Sequence, residues 1–435
     1  DLMRDAMPEK ILDPNLEILE TAYEQVQEEY DVDAPDVSVP TGEHDETQLL
    51  MSGSDAIAYG AIDEGCRFIS GYPMTPWTEV FTIMSQNLPK LDGISEQVED
   101  EIAAAALAVG ASHAGVKAMS GSSGGGFALM SEPLGLAEMT ETPVVLVEAM
   151  RAGPSTGMPT KPEQSDLEHV LYTSQGDSQR VVLAPGTVEE AYEQSRLAFR
   201  LAYEYQIPSI LLYDQKLGGE LVNVPASHFD REPNTDPGSV LTEDQIADAP
   251  HDASGKFERF RHDVEDGVSP RSVPGQKGGR HLVTGNEHNA PGHISEDPDN
   301  RVAQVARRSE KLRAIRAARG GDTLNEAHGP EDAEHGILTF GSQQGTVEEA
   351  VDRLNDVGHS VKALTVGELM PYPVEEVRAF LESVDEALVV EMNASAQFRG
   401  LTQKELGTGD DQLASLLKYN GNPFEPAEIV EGFET

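Results

Sequence analysis

Four stretches of the chain carry residue types that could do chemistry. Glu101 opens an alanine-rich run, Ile102 to Val109. So many small apolar side chains imply close packing on several sides. A carboxylate at the edge of such a wall is partly desolvated, which suits it to sharing a proton with a ring nitrogen. Glu101 reads equally as an ordinary first-turn acid favoured by the helix dipole, and Glu99 and Asp100 beside it read as solvated acids. Arg151 lies in the loop Arg151-Ala-Gly-Pro-Ser-Thr-Gly157, just past an apolar run. An arginine there can clamp a carboxylate with two parallel donors. A structural ion pair is the competing reading, and Lys161 is a second candidate for the same anion. Thr75 stands between Pro73 and Pro76, which fix the backbone and remove two donors. It reads as a ligand contact or as the cap of the next helix. The turn Gly121–Gly126 follows a strand-like run and precedes a helix, so a ligand can approach its backbone closely. It fits neither the phosphate-loop nor the dinucleotide fingerprint, and also reads as a plain tight turn.

His281, Glu287, His288 and His293 also fall close together. Their stretch is loop-like, without helical i,i+4 spacing or cysteines, so no metal is assigned to them.

Each of the four stretches stands at or just beyond the carboxyl end of a short apolar run, the edge where open α/β sheets bind ligands. Such runs recur at Cys66–Ser70, Val116–Met119, Val144–Val147, Val181–Ala184 and Ser209–Tyr213. Helix-like segments alternate with them at Thr78–Asn87, Glu99–His113, Phe127–Met139 and Val188–Tyr205. The alternation predicts a mainly parallel sheet with helices on both faces. From Glu334 a smaller α/β domain is predicted. Its strands are Ile337–Phe340, Val361–Val366 and Ala387–Val390, and its helices Val347–Val357 and Val374–Leu381. Residues 215–330 are polar, rich in Pro, Gly, Asp and His, and largely aperiodic. They read as an extended arm that packs against partners, with one clear helix, Arg301–Arg319. At the start, Asp13 and Pro14 read as the cap and first turn of a helix. Its apolar stripe is Leu16, Leu19, Tyr23, Val26 and Tyr30, and a polar linker, Asp31–Glu46, follows.

The 435 residues predict two to three domains. Acidic residues number 77 against 31 basic ones, a net charge of −46, and they are spread along the chain. Such a field is a poor partner for nucleic acid or anionic membrane. An even acidic coat is also what halophilic proteins use to stay soluble, so a salt-loving source is expected. No apolar run approaches the roughly 18 residues of a membrane span, and no signal-peptide pattern opens the chain. A cytoplasmic protein is expected. The sequence starts at Asp1, so a missing N-terminal portion is expected too. The lone cysteine, Cys66, excludes intrachain disulfides and an iron–sulfur cluster held by four cysteines of this chain. Its apolar setting predicts a buried structural thiol.

Taken together, these motifs resemble the alpha subunit of 2-oxoacid:ferredoxin oxidoreductases, thiamine-diphosphate enzymes of the pyruvate and 2-oxoglutarate class. Tyr72-Pro-Met-Thr-Pro76 looks like the family's Tyr-Pro-Ile-Thr-Pro motif, and Gln97-Val-Glu-Asp-Glu101 like its Gln-Ala-Glu-Asp-Glu segment. Ser120–Phe127 is similar to its Thr-x-Thr-Ser-Gly-Pro-Gly turn, and Arg151–Lys161 matches its arginine loop. Gly267–Gly275, Gly285–His288 and Glu391-Met-Asn393 also fit. The likeness spans about residues 48–435, and the motifs keep a fixed order.

The resemblance implies a division into residues 1–47, the tail of a gamma-like domain and linker; 48–217, a pyrimidine-binding domain; 218–330, the irregular arm; and 331–435, a transketolase C-terminal-like domain. In some members of the family the gamma domain is fused upstream, and the acidic coat points to a haloarchaeal fusion of that type. The resemblance implies that Glu101 contacts N1′ of the thiamine diphosphate aminopyrimidine, that Thr75 and Arg151 hold the 2-oxoacid carboxylate, and that Tyr72, Ser123 and Gly124 border the coenzyme. The family's Gly-Asp-Gly…Asn-Asn signature for magnesium diphosphate is not found in this sequence. A beta subunit is therefore expected to bring Mg2+, the diphosphate site and the iron–sulfur cluster, with coenzyme A and ferredoxin as reactants and an α2β2 assembly. Trp77 stands where a small hydroxyl residue is common, and Gly121 and Gly125 replace less flexible residues. Trp77 is expected to reshape the pocket beside Thr75, which leaves 2-oxoglutarate and pyruvate open as substrates. Two other readings stay open: a non-catalytic subunit that braces a catalytic beta chain, and half of a split transketolase-like enzyme.

Overall fold

A computed structural model describes residues 3–4, 7–29, 46–229, 232–319, 324–407, 409 and 412–434. Residues 1–45 and 46–435 form two separate units.

In the first unit one helix runs from Glu9 to Glu29. It begins before Asp13, so Pro14 lies inside it rather than at its first position. The helix-forming segment Glu9–Leu12 extends it backward, and Pro14 costs it one hydrogen bond and crowds the Lys10 carbonyl. Leu19, Tyr23 and Val26 on this helix are exposed. Tyr30 and nearly all of the predicted linker lie outside the described residues.

The second unit is built on three sheets. Its strands in chain order are β1 (Gln48–Ser52), β2 (Phe68–Gly71), β3 (Ile94–Gln97), β4 (Ala118–Ser122), β5 (Val144–Met150), β6 (Val181–Leu183), β7 (Pro208–Asp214), β8 (Leu221–Pro225), β9 (Asn325–His328), β10 (His335–Thr339), β11 (Val361–Val366), β12 (Glu368–Met370), β13 (Glu386–Glu391) and β14 (Leu413–Leu417). The main sheet has the order β12-β6-β7-β5-β4-β2-β3. It is parallel apart from β12, which pairs antiparallel with β6. The second sheet, β14-β13-β10-β11-β9, is parallel apart from β9. β1 and β8 form a two-stranded antiparallel ribbon.

A strand covered on both faces has no need of polar alternation. β5 is such a strand, buried at all seven positions. Val145, Val147 and Ala149 enter one core, with the helices Gly53–Asp63, Thr78–Asn87 and Val188–Tyr205. Val144, Leu146 and Met150 enter the other, shared with Leu338, Phe340, Leu364 and Val389 of the second sheet. The two sheets thus close on one apolar layer. Cys66 is fully buried, and burial pushes its thiol up to about 12.

The predicted helix Phe127–Met139 is two helices, Gly125–Leu129 and Ser131–Met139. Pro133 has no N–H to offer the Leu129 carbonyl four residues earlier, and its ring crowds that position. The arm is also more ordered than its composition predicts. It contributes β8, a short helix at Glu243–Asp248 and the long helix Pro298–Arg319. Its buried arginines are anchored on its own chain. Arg259 donates to the Glu141 and Ser269 carbonyls and to Gln206, and Arg271 to the Ser112 carbonyl.

Candidate active site

Register brings the predicted residues to one edge. Gly71 pairs with Gly121, Gly121 with Val147, and Ser122 with Glu148. The segments leaving β2, β4 and β5 at their carboxyl ends are those that hold Thr75, Gly124 and Arg151.

Glu101 begins the helix Glu101–His113 and is 3% exposed. Asp100, expected to be a solvated neighbour, is the N-cap: its carboxylate accepts the Ala103 N–H at 2.8 Å. That cap fixes the first turn and leaves Glu101 pointing inward. Ser122 Oγ donates to Glu101 Oε1 at 2.9 Å. Against this hydrogen bond lies Gly126, where a Cβ would collide with both Glu101 Oε1 and Ser122 Oγ. A side chain there would push the Glu101 carboxylate and the Ser122 hydroxyl out of these positions. The carboxylate is therefore clasped between the end of β4 and the start of the next helix. A carboxylate held in this way has a set position and little water around it, which is what a proton acceptor for a ring nitrogen requires. Neither Ser122 nor Gly126 was singled out from the sequence. The signal is present in the glycine run, but nothing in one sequence links Ser122 to an acid 21 residues earlier.

The other predicted residues divide into groups. Arg151 is 5% exposed, and its Nη1 donates to the Thr75 carbonyl at 2.7 Å. This bond ties the arginine loop to the proline loop, while Thr75 itself is exposed. Arg151 Nε is buried without a partner. One guanidinium edge is therefore structural, and a donor is left over beside it. Ser123 is buried with a partnerless hydroxyl, and Tyr72 is exposed. Gly124 adopts φ +49°, a region that favours glycine, and its N–H donates to Glu148 Oε1 at 2.6 Å. Its backbone donor is thus turned inward. Lys161 lies apart, with its ammonium on Asn422.

Trp77 does not line an open pocket beside Thr75. It is fully buried and packs on Phe81. Its ring occupies the space a Cβ on residue 121 would need, with Cε3 and Cζ3 at 2.6 and 2.7 Å from that point. Trp77 and Gly121, two separate departures from the family motifs, are one packing arrangement.

Among the described residues no three potential metal-ligating side chains converge. Glu287 is held by Arg301 and Arg308, which bring its carboxyl down to about 2 against the cost of burial. A separate cleft, lined in part by Gly135, Gln175, Arg301 and Arg308, opens beside the segment that enters β6 at its amino end.

The exposed side of the Glu101–His113 helix is apolar. Ile102 and Leu107 are 50% and 41% exposed, and Ala106 and Gly110 are open beside them. Leu129, on the helix after the glycine turn, is 46% exposed. No helix among the described residues is long and apolar enough to cross a membrane.

Comparison with known proteins places this geometry. Residues 59–307 match the family described as pyruvate flavodoxin/ferredoxin oxidoreductase, thiamine diphosphate-binding. Residues 333–428 match pyruvate:ferredoxin oxidoreductase core domain II. The chain is 35% identical to the 2-oxoglutarate synthase subunit KorA of Methanothermobacter thermautotrophicus, over 88% of this chain and 97% of that one. It is 32% identical to subunit alpha of 2-oxoacid:ferredoxin oxidoreductase 2 from Aeropyrum pernix, over 97% of this chain but only 66% of that longer relative. A solved 2-oxoglutarate:ferredoxin oxidoreductase from Magnetococcus marinus, with 2-oxoglutarate, coenzyme A and succinyl-CoA bound, superposes with a TM-score of 0.82 at 34% identity. That match covers 98% of this chain and 71% of the other. With more than half of its length in the thiamine-diphosphate-binding family and a relative matched almost end to end, the chain belongs to the 2-oxoacid:ferredoxin oxidoreductase alpha subunits.

Proposed function

We propose that this chain is one part of an active site that oxidatively decarboxylates a 2-oxoacid to an acyl-CoA, losing carbon dioxide and passing electrons to ferredoxin. The observation that carries the reading is the clasped carboxylate of Glu101, buried at the sheet's carboxyl edge beside an open apolar helix face. The residues fit thiamine diphosphate: a buried acid for N1′ of its aminopyrimidine, and a glycine where any Cβ would crowd that acid. When bound, the coenzyme supplies the carbanion-stabilising centre that 2-oxoacid decarboxylation needs.

The chain's own residues do the rest of this half. Glu101 accepts and returns the proton at the ring nitrogen, and Ser122 holds it in register. Arg151, already fixed by the Thr75 carbonyl, offers its remaining donors to the substrate carboxylate, and Thr75 offers its hydroxyl. Tyr72, Ser123 and Gly124 border the coenzyme. The exposed stripe of Ile102, Leu107 and Leu129 is covered by a beta subunit, which closes the site against water. That subunit brings Mg2+, the diphosphate site and the iron–sulfur relay, in an α2β2 assembly. The named relatives favour 2-oxoglutarate over pyruvate as substrate.

A substrate panel on the purified complex tests the reading, with a viologen dye as electron acceptor. Coenzyme A-dependent dye reduction with 2-oxoglutarate, and less with pyruvate, is expected. No 2-oxoacid-dependent reduction, or full activity from the beta subunit alone, would refute it.

A further inference from the structure

Beneath the glycine turn lies a second buried acid that the proposed chemistry does not use. Glu148 sits near the carboxyl end of β5 and is fully buried. Its Oε1 accepts the Gly124 N–H at 2.6 Å, while Oε2 is sealed from water with no donor in range. Asp166 approaches the same glycine: its Oδ2 lies 3.7 Å from where a Gly124 Cβ would be. Two carboxyl groups so placed, one of them sealed from solvent, cannot both carry a charge. The charged and titratable groups around them are Arg151, His169, Glu163 and Tyr213. Of these four groups only Arg151 is always positively charged, and Glu163 adds a further acid, so the pair sits among too few cations to hold two negative charges.

We propose that Glu148 and Asp166 hold one proton between them, and that Glu148, as a neutral acid, is the positioning residue that fixes the glycine turn against Glu101. In this arrangement Glu148 Oε2 carries the proton toward Asp166 while Oε1 accepts from Gly124. Asp166 keeps the negative charge, facing Arg151 and His169. The turn so pinned runs from Ser122, which bonds Glu101, to Gly126, which packs against it. Burial, reinforced by Asp166, pushes the Glu148 carboxyl well above the usual range, and burial raises Asp166 as well.

Only the effect on turnover rests on the function proposed above; the shared proton does not. The test uses Glu148→Gln, which keeps the shape and a donor but cannot ionise, and Glu148→Ala, which removes the acceptor for Gly124. Infrared spectra of the full chain at neutral pH are expected to lose a protonated-carboxyl band in the Gln variant. Thermal unfolding of wild type is expected to weaken relative to the Gln variant as pH rises above about 4, because the folded state then holds a proton the unfolded chain gives up. In the complex, the Gln variant is expected to keep turnover within about threefold, and the Ala variant to lose about 10–100-fold. An unchanged carboxyl band, or a Gln variant as impaired as the Ala one, would overturn the proposal. Neither the infrared nor the unfolding result needs turnover, so both decide the proton pair even if no 2-oxoacid proves to be a substrate or the Ala variant does not fold.

Discussion

Two buried glutamates flank the same strand and have opposite surroundings. Glu141 precedes β5 and Glu148 lies near its end; each is 0–1% exposed. Glu141 is matched by two cations from the long arm helix. Arg307 embraces both its oxygens, and Lys311 donates to Oε2 at 2.6 Å. Burial alone would raise the Glu141 carboxyl, but Arg307 and Lys311 hold it well below the usual range. Glu148 has a second acid where Glu141 has an ammonium, and it is raised instead. At the amino end of the strand Glu141 is thus matched by cations and serves to fasten the arm. The carboxyl end keeps partnerless polar atoms on Ser123, Glu148 and Arg151. Polar groups buried without partners are what a structural site avoids and a ligand site can use.

The contrast can be broken at either end. Arg307→Ala leaves Glu141 buried beside a cavity with Lys311 as its remaining ion-pair partner; a loss of about 3–5 kcal/mol in denaturant unfolding is expected. In Arg151→Ala the loss falls on binding. The Michaelis constant for 2-oxoacid should rise about tenfold or more, with little change for coenzyme A, in steady-state kinetics of the complex. Equal effects on both would count against a carboxylate clamp. Gly121→Ala forces a methyl against the Trp77 ring and the Val147 carbonyl and should cost about 1–3 kcal/mol in denaturant unfolding. The smallest effect is in pH. The Glu141 contribution is fully present above the carboxylate's unfolded pKa and is lost as pH falls through its depressed folded pKa. Glu141→Gln should therefore flatten the acid limb of a stability–pH profile, whereas Glu148→Gln should act only above the ordinary carboxylate range.

The parts of the fold legible in the sequence are those where period and length agree. Thr78–Asn87, Val188–Tyr205 and Val361–Val366 appear as predicted because each has strong apolar patterning and clear ends. β3, β12 and β14 were not anticipated. Ile94-Ser-Glu-Gln97 is an edge strand with mostly exposed or half-buried residues, so it carries no apolar signal. β12 follows β11 of the second sheet in the chain yet pairs with β6 of the main sheet, a pairing that no local pattern encodes. At the site, Glu101, Arg151 and Thr75 were visible as motifs, and the structure brings their segments together. Ser122, Gly126, Glu148 and Asp166 were not, because their significance is a contact across strands. Trp77, expected from its motif to reshape the pocket beside Thr75, instead buries its large apolar ring in the core, where Gly121 leaves room for it.

The central claim is that the Glu101 carboxylate does acid–base work in a shared site. Glu101→Gln keeps the shape, the Ser122 contact and the Gly126 clearance while removing the ionisable group. Turnover of the assembled complex with 2-oxoacid, coenzyme A and a viologen acceptor should fall by about 10²–10⁴-fold, with unchanged unfolding and assembly. Near-normal turnover in that variant would contradict the account.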